Sequence, residues 1–477
     1  MRRGFLLLEL LIAMAVMSST MTALSLTIFG LPFMAHNAEL KLEAVLRAQE
    51  ILTTLATTSD SFYMDSLRTE PLEDESFTSY TANVSWTNLF GTSQSVELST
   101  IKLTGSTTQS ACDPFISKDW GVPKVTASIP VAGTISDLAV TPQALFVTVG
   151  STTNSHTPTL LSYSLTGTST PVFVNGFDNA STSRIGFSSI AVGDGYVFAG
   201  NAFTSVSAAT CADRISCAQI QAFKYSDTGV LSRTSTLTFA TTSPPFSLSS
   251  NGTPSPVHSL TYYRHVLYAG LEKTLQGSEF NTIDARNPAN LIWRSGYRVG
   301  RTVNRVSVRA ENAYVSTDDP ARELYVFDIH DVDHLSFRGS WDAPGSTSFG
   351  YGTANTVNGS TIRFGRSYSS NAPEFSVLDS SDPSHIQEIQ SRDLGTVRDP
   401  ESIRALVTQS YVTFVLLTHR LEIWNTGDPK LLTSFQNSYS LPAGSEGIAL
   451  SCRNDLIYVG RNTSDSSGVI DILQGSE

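Results

Sequence analysis

Three hydrophobic patterns follow one another along the chain. From Phe5 to about Phe29 the residues are mostly apolar, and the only charge among them is Glu9. This run exceeds the roughly 20 residues that cross a bilayer, so it predicts a transmembrane helix. Gly30 and Pro32 interrupt it, and the proline removes a backbone donor and loosens the turn before it. From Asn37 a helical period resumes. Leu42, Val45, Leu46, Gln49, Leu52 and Leu55 recur at steps of three and four, with Glu39, Lys41, Glu43, Arg47 and Glu50 mostly on other faces. Residues Thr57 to Ser76 are polar and acidic and read as a solvated linker in preference to a calcium loop. Alternation then takes over: Tyr80, Ala82, Val84 and Trp86, a polar turn from Asn88 to Ser95, then Val96, Leu98 and Ile101 predict a β-hairpin.

Beyond residue 110 no helical period is evident, and a repeat appears instead. Segments 279–297, 323–341, 374–392 and 420–438 each run from an alternating strand into an Asp or Asn, a second Asp or Asn three residues on, and another strand. The paired positions are Asp284/Asn287, Asp328/Asp331, Asp379/Asp382 and Asn425/Asp428. A strand pair precedes each segment, as in 303–317 and 403–417, giving four strands per roughly fifty residues, the signature of a β-propeller blade. The segments resemble LVIVD-type propeller repeats, in which a strand ending in V-D runs into S-D-P. First strands near Ser136, Ser188, Val257, Asn304, Ala354, Ile403 and Gly447 favour seven blades, with six or eight as the alternatives. The last copy has only three strands before the chain stops, so KVTASIPV (124–131) is expected to supply its fourth and close the ring. The Asp/Asn pairs are expected to close turns through their side chains, not to bind metal, although Asp333 and His334 beside Asp328 and Asp331 add possible ligands.

The residues at the very start carry a second resemblance. Arg2, Arg3 and Gly4 precede the apolar run, Phe5 opens it, and Glu9 lies inside it. An ordinary secretory signal has no carboxylate in its apolar middle. The pattern resembles the class III leader of type IV pilins and pseudopilins. That resemblance implies cleavage by a prepilin peptidase after Gly4, N-methylation of Phe5, and pairing of the Glu9 carboxylate with a neighbouring subunit's terminal amine during assembly. The V-x-W strand of the hairpin is similar to the small sheet of minor pilins. The expected organisation is therefore a leader (1–4), a pilin helix (5–60, spanning the membrane at about 5–29), a small pilin-like β module (61–110) and a β-propeller (111–477). The fold class is mainly β after a long N-terminal helix.

Charge and chemistry narrow the function. The net charge of −12 argues against a nucleic-acid surface. Arg2 and Arg3 on the cytoplasmic side place the rest of the chain outside, in a single-pass topology until assembly extracts the subunit to a pilus or the cell surface. Outside the cytoplasm cysteines oxidise. Cys211 and Cys217 flank a short polar stretch and are expected to pair at a hairpin tip, which leaves Cys112 for Cys452; no CxxC pair or histidine cluster favours zinc. No nucleophile elbow, HExxH helix or phosphate-binding glycine loop is present, so neither an enzyme nor a cofactor is expected. The expected partners are other pilins through the N-terminal helix, the prepilin peptidase, the inner membrane before assembly, and an extracellular ligand. The leading reading is a minor pilin displaying a propeller for adhesion or for protein or glycan binding. A pseudopilin of a type II secretion or DNA-uptake system with a cargo-binding propeller, and a membrane-anchored extracellular propeller enzyme, are the alternatives.

Overall fold

The computed structural model describes strands at 67–71, 77–87 and 93–103, and residues 119–476 except 152–157, 167–169, 179–185, 203–217, 239–253, 276, 345–349, 397, 410–411 and 426–433. The two helices expected within 5–60, together with Gly4, Phe5 and Glu9, lie outside the described residues, as do Cys112, Cys211 and Cys217. Among the described residues no helix is long and apolar enough to cross a membrane. The chain divides into two compact units, residues 1–106 and 107–477.

The first unit contains an antiparallel sheet ordered β1 (Leu67–Pro71), β2 (Phe77–Thr87), β3 (Ser93–Leu103). Strands β2 and β3 pair without a break from Phe77↔Leu103 to Thr87↔Ser93, as the alternation predicts. Strand β1 corrects the sequence reading, because Leu67–Pro71 lies inside the stretch taken as a linker. It pairs along β2 from Leu67↔Ala82 to Pro71↔Thr78. An edge strand can be held by its ladder alone and needs no apolar alternation. Pro71 lies at its end, where a missing donor matters least.

The second unit is a seven-bladed β-propeller. After β4 (Asp119–Val131), blade 1 holds β5 (Thr134–Val140), β6 (Ala144–Ser151), β7 (Leu160–Ser164) and β8 (Val172–Phe177). Blade 2 holds β9 (Phe187–Gly193), β10 (Tyr196–Asn201), β11 (Ile220–Tyr225) and β12 (Leu231–Leu237); blade 3 holds β13 (Val257–Tyr263), β14 (Val266–Leu271), β15 (Phe280–Asp284) and β16 (Ile292–Tyr297). Blade 4 holds β17 (Val303–Arg309), β18 (Asn312–Thr317), β19 (Leu324–Asp328) and β20 (Ser336–Trp341). Blade 5 holds β21 (Gly352–Asn358), β22 (Thr361–Arg366), β23 (Phe375–Asp379) and β24 (Gln387–Arg392); blade 6 holds β25 (Ile403–Gln409), β26 (Val412–Leu417), β27 (Arg420–Asn425) and β28 (Ser434–Ser440). Blade 7 combines β29 (Ser445–Arg453), β30 (Leu456–Thr463) and β31 (Gly468–Ser476) with β4, in the order β29-β30-β31-β4. The ring therefore closes as predicted, with Gly468↔Val131, Ile470↔Ile129 and Ile472↔Ala127 in register. Pro123 and Pro130 are tolerated in β4 because an outermost strand has one unpaired edge.

The second and third strands of a blade are covered on both faces by neighbouring blades. They read as continuous apolar runs such as VTFVLL in β26, buried throughout. The core is consequently a ring of interface clusters. One joins blades 7 and 1 through Ile135, Leu138, Tyr458 and Ile470, another joins 3 and 4 through Phe280, Val303, Val315 and Phe327, and comparable clusters fill the remaining interfaces. Hydrogen bonds step from one innermost strand to the next. Ser136 Oγ donates to the Phe187 carbonyl (2.5 Å), Ser188 Oγ to Val257 (2.7 Å) and Thr261 Oγ1 to Val306 (2.6 Å). Ser307 Oγ donates to Asn355 (3.0 Å) and Thr353 Oγ1 to Ile403 (2.6 Å). Asn462, on β30, both donates to and accepts from the backbone of Ile135, which links the last blade to the first. A register shift recurs between third and fourth strands in every blade, at Ser162/Tyr163, Ala222/Phe223, Thr282/Ile283, Val326/Phe327, Val377/Leu378, Ile423/Trp424 and Ile472/Leu473, with a second in blade 7 at Gln474/Ser476. Bulges of this kind increase local twist and blunt the outer edge against pairing with other chains.

Candidate functional site: the central channel and its mouth

Because strands alternate in direction, the turns between strands one and two and between three and four of each blade share one face. The connections between strands two and three, and from each blade to the next, share the other. The Asp/Asn pairs lie on the first face and act as turn closers. Asp284 Oδ1 accepts the Arg286 N–H (3.0 Å), Asp328 Oδ1 that of His330 (2.8 Å) and Asp379 Oδ1 that of Ser381 (2.9 Å). The second member repeats the device: Asn287 accepts from Ala289 (3.2 Å), Asp331 from Asp333 (2.9 Å) and Asp382 from Ser384 (3.0 Å). The side chains of the fourth pair, Asn425/Asp428, lie outside the described residues. Hydrogen bonds from Ser384 and His385 hold the Asp382 carboxyl down at about 2. The Arg286 guanidinium holds Asp284 well below the usual carboxylate range. Asp333 faces Arg294 of the preceding blade (3.8 Å), and His334 Nδ1 pairs with Asp331 (2.8 Å), so these groups already have partners.

On the opposite face a buried glutamate precedes the third strand in three successive blades. Glu279 Oε2 accepts the N–H groups of Val299 (2.8 Å) and Gly300 (2.9 Å), while its Oε1 takes Thr274 Oγ1 (2.7 Å). Glu374 does the same for Leu394 (2.8 Å) and Gly395 (3.2 Å). Glu323 instead receives both Nε (2.5 Å) and Nη2 (2.6 Å) of Arg366 from the next blade, and both side chains are fully buried. In blade 6 Asp399, Glu401 and His419 approach one another closely enough to suggest a cation site. The Arg420 guanidinium, 3.0 Å from Glu401 and 3.9 Å from Asp399, already supplies the positive charge there.

Between the faces runs a channel of about 390 Å³, lined by the innermost strands of all seven blades. Its lining is as polar as it is apolar, with Thr261, Thr356, Thr408 and Ser451 among the residues of the innermost strands, and the charged side chain among its lining residues is Arg305 of β17. The guanidinium Nη1 lies 3.9 Å from Oδ2 of Asp137 on β5, a residue of blade 1. Asp137 is buried, and its oxygens accept the N–H groups of Leu138 (2.9 Å) and Ile190 (3.2 Å). Burial pushes its carboxyl up, and Arg305 together with the two N–H donors pulls it part of the way back. At the mouth Tyr262 donates its hydroxyl to Asp194 Oδ2, which His265 Nδ1 also approaches (2.6 Å). Burial first, then the bond to Asp194, raises the Tyr262 hydroxyl far above its usual range. Gly193 is required where the Tyr262 ring crosses it, since a Cβ there would meet the ring at 2.0 Å. The adjoining turns hold Asp194, Arg264 and His265 at φ of 50, 48 and 62°, the left-handed conformation of two-residue hairpins.

The cysteine expectations are reached at one residue. Cys452, on β29 and beside the channel, is disulfide-bonded, and its partner lies outside the described residues. Among the groups that sequence reasoning missed, the glutamates were visible as the first letter of three repeat segments. Asp137, Arg305 and Tyr262 carried no comparable signal.

No protein-family model matches the sequence, and no curated protein matches it. Solved structures do resemble the fold. Raptor from Chaetomium thermophilum superposes with a TM-score of 0.52 at 11% identity over 74% of this chain, which spans 29% of that protein. A chain of the mitotic checkpoint complex gives a TM-score of 0.51 at 10% identity, covering 76% of this chain and 98% of that one. At such identities the likeness is one of fold alone.

Proposed function

We propose that this chain is a minor type IV pilin that displays its propeller outside the cell as a binding module, not as an enzyme. The observation that carries the reading is the conjunction of Arg2, Arg3, Gly4, Phe5 and Glu9 at the N-terminus with a closed propeller downstream. Cleavage after Gly4 exposes an amine on Phe5. Glu9 of a neighbour neutralises it in an apolar bundle, where such a pair specifies register more than it adds stability. Before assembly the helix holds the protein in the inner membrane with the propeller outside. The bulk of the propeller limits it to sparse or tip positions. Its two longest connections, between Asn201 and Ile220 and between Leu237 and Val257, join strand ends on the glutamate face, which supports that face as the more variable contact surface.

Cys112 is the partner assigned here to Cys452. In support, Trp120 near the start of β4 packs in the same apolar cluster as Cys452. Non-reducing peptide mapping should recover Cys112 linked to Cys452 and Cys211 linked to Cys217; any other pairing removes this part of the reading.

Leader variants test assembly directly. Gly4→Ala should leave the precursor unprocessed, whereas Glu9→Ala should be cleaved but fail to enter fibres. Antibody labelling of sheared fibres should find the protein sparsely or at tips. Its absence from fibres, or normal incorporation of the Glu9 variant, would overturn the pilin reading.

A further inference from the structure

We propose that the central channel is a binding site for a small organic carboxylate, recognised by Arg305. Arg305 brings a positive charge to a channel of about 390 Å³ whose other lining residues are uncharged. That volume falls among those of small-molecule pockets.

The guanidinium is unsaturated in a specific sense. Its side chain is 39% exposed, and the nearest carboxylate, Asp137, stands 3.9 Å away, beyond hydrogen-bond length. Among the described residues no hydrogen bond is donated by the guanidinium. The Asp137 oxygens take hydrogen bonds from the Leu138 and Ile190 N–H groups and none from the guanidinium. Contrast Arg366, whose fork is closed on both oxygens of Glu323. An arginine fork left open on a cavity matches the planar, two-oxygen acceptor of a carboxylate.

This inference rests on reading the propeller as a binding module but not on assembly into a fibre, so the two fail separately. Titration calorimetry of the full-length chain with octanoate and benzoate, against octanamide and benzamide, tests it. The acids should bind about ten-fold or more tightly than the amides, the gain expected of a charge-assisted hydrogen bond. Arg305→Met should erase that difference, and Arg305→Lys, which keeps the charge and loses the fork, should retain part of it. Unchanged unfolding midpoints will show that each variant is folded; should Arg305→Met not fold, the acid–amide ratio of the wild type and its reduction in Arg305→Lys decide. Equal affinity for acid and amide, no binding of either acid at millimolar concentration, or undiminished acid preference in Arg305→Met or Arg305→Lys would overturn it.

Discussion

Glu279, Glu323 and Glu374 hold one position in three successive blades, yet they are satisfied in two ways. Backbone N–H groups of the following connection serve Glu279 and Glu374, whereas Glu323 faces a buried guanidinium. Two charges out of water repay their desolvation only while both are present. Glu323→Ala should therefore cost about 3–5 kcal/mol, because Arg366 is left charged and unpaired in the core. The double change Glu323→Leu with Arg366→Met should recover most of that loss, and urea unfolding of both variants against wild type measures the two effects. Asp137 gives a pH-dependent counterpart. Its folded carboxyl is raised above the ordinary value of 3.8, so the folded chain keeps the proton longer than the unfolded chain does. Stability from this group consequently falls as pH rises from that value through the folded one, and levels off above it. Arg305 limits the rise. Its removal in Arg305→Met should widen the window, so the stability deficit against wild type should be smallest near pH 3.5 and grow toward neutrality. A deficit independent of pH would show that Arg305 does not act on Asp137.

Blade spacing is set by small elements meeting large ones. Gly200, Gly270 and Gly365 occupy the second strand of blades 2, 3 and 5, and each faces the first apolar residue of the next blade. A Cβ at Gly270 would lie 2.3 Å from Val303 Cγ1, one at Gly365 2.4 Å from Ile403 Cγ2, and one at Gly200 2.7 Å from Val257 Cβ. At these three junctions, where the space is kept free, the innermost strands are also joined by hydroxyl-to-carbonyl bonds from Ser188, Thr261 and Thr353. Gly270→Ala should destabilise by about 1–3 kcal/mol through overpacking. Val303→Ala alone should also destabilise by opening a void, but the double variant should lose less than the sum, a coupling that a double-mutant cycle reads from denaturant midpoints. What was legible at this scale depended on repetition. The Asx turns were readable because Asp284, Asp328 and Asp379 recur with a partner three residues on, which a metal site has no reason to do. Strand β1 was not, since Leu67 and Pro71 give no alternation and its pairing with β2 follows from a ladder that sequence does not encode locally.

At the scale of the ring, blade count and closure were legible for the same reason: seven first strands recur, and the last copy lacks a partner that 124–131 supplies. The channel was not legible. Asp137 and Arg305 meet because blades 1 and 4 face each other across the axis, a proximity that arises only once the circle is complete. Closure therefore does more than remove a sheet edge, since it creates the site. Its strength lies in side chains as well as in the ladder. Asp471 on β31 is almost fully buried and accepts from Ser128 of β4 (2.6 Å), Arg461 of β30 (2.6 Å) and Tyr439 of blade 6 (3.3 Å). Ile129 of β4 is 9% exposed, whereas Ile292, also on an outermost strand, is 45% exposed. If β4 were an ordinary outer strand, Asp at either position would be tolerated alike. If it is the clasp, Ile129→Asp buries a charge with no partner and costs several kcal/mol, while Ile292→Asp changes stability by less than about 1 kcal/mol. Thermal unfolding should show a markedly lower midpoint for Ile129→Asp alone, and sedimentation should show that variant self-associating through the uncovered edge of β31. Equal tolerance at both positions would mean that the ring holds without β4.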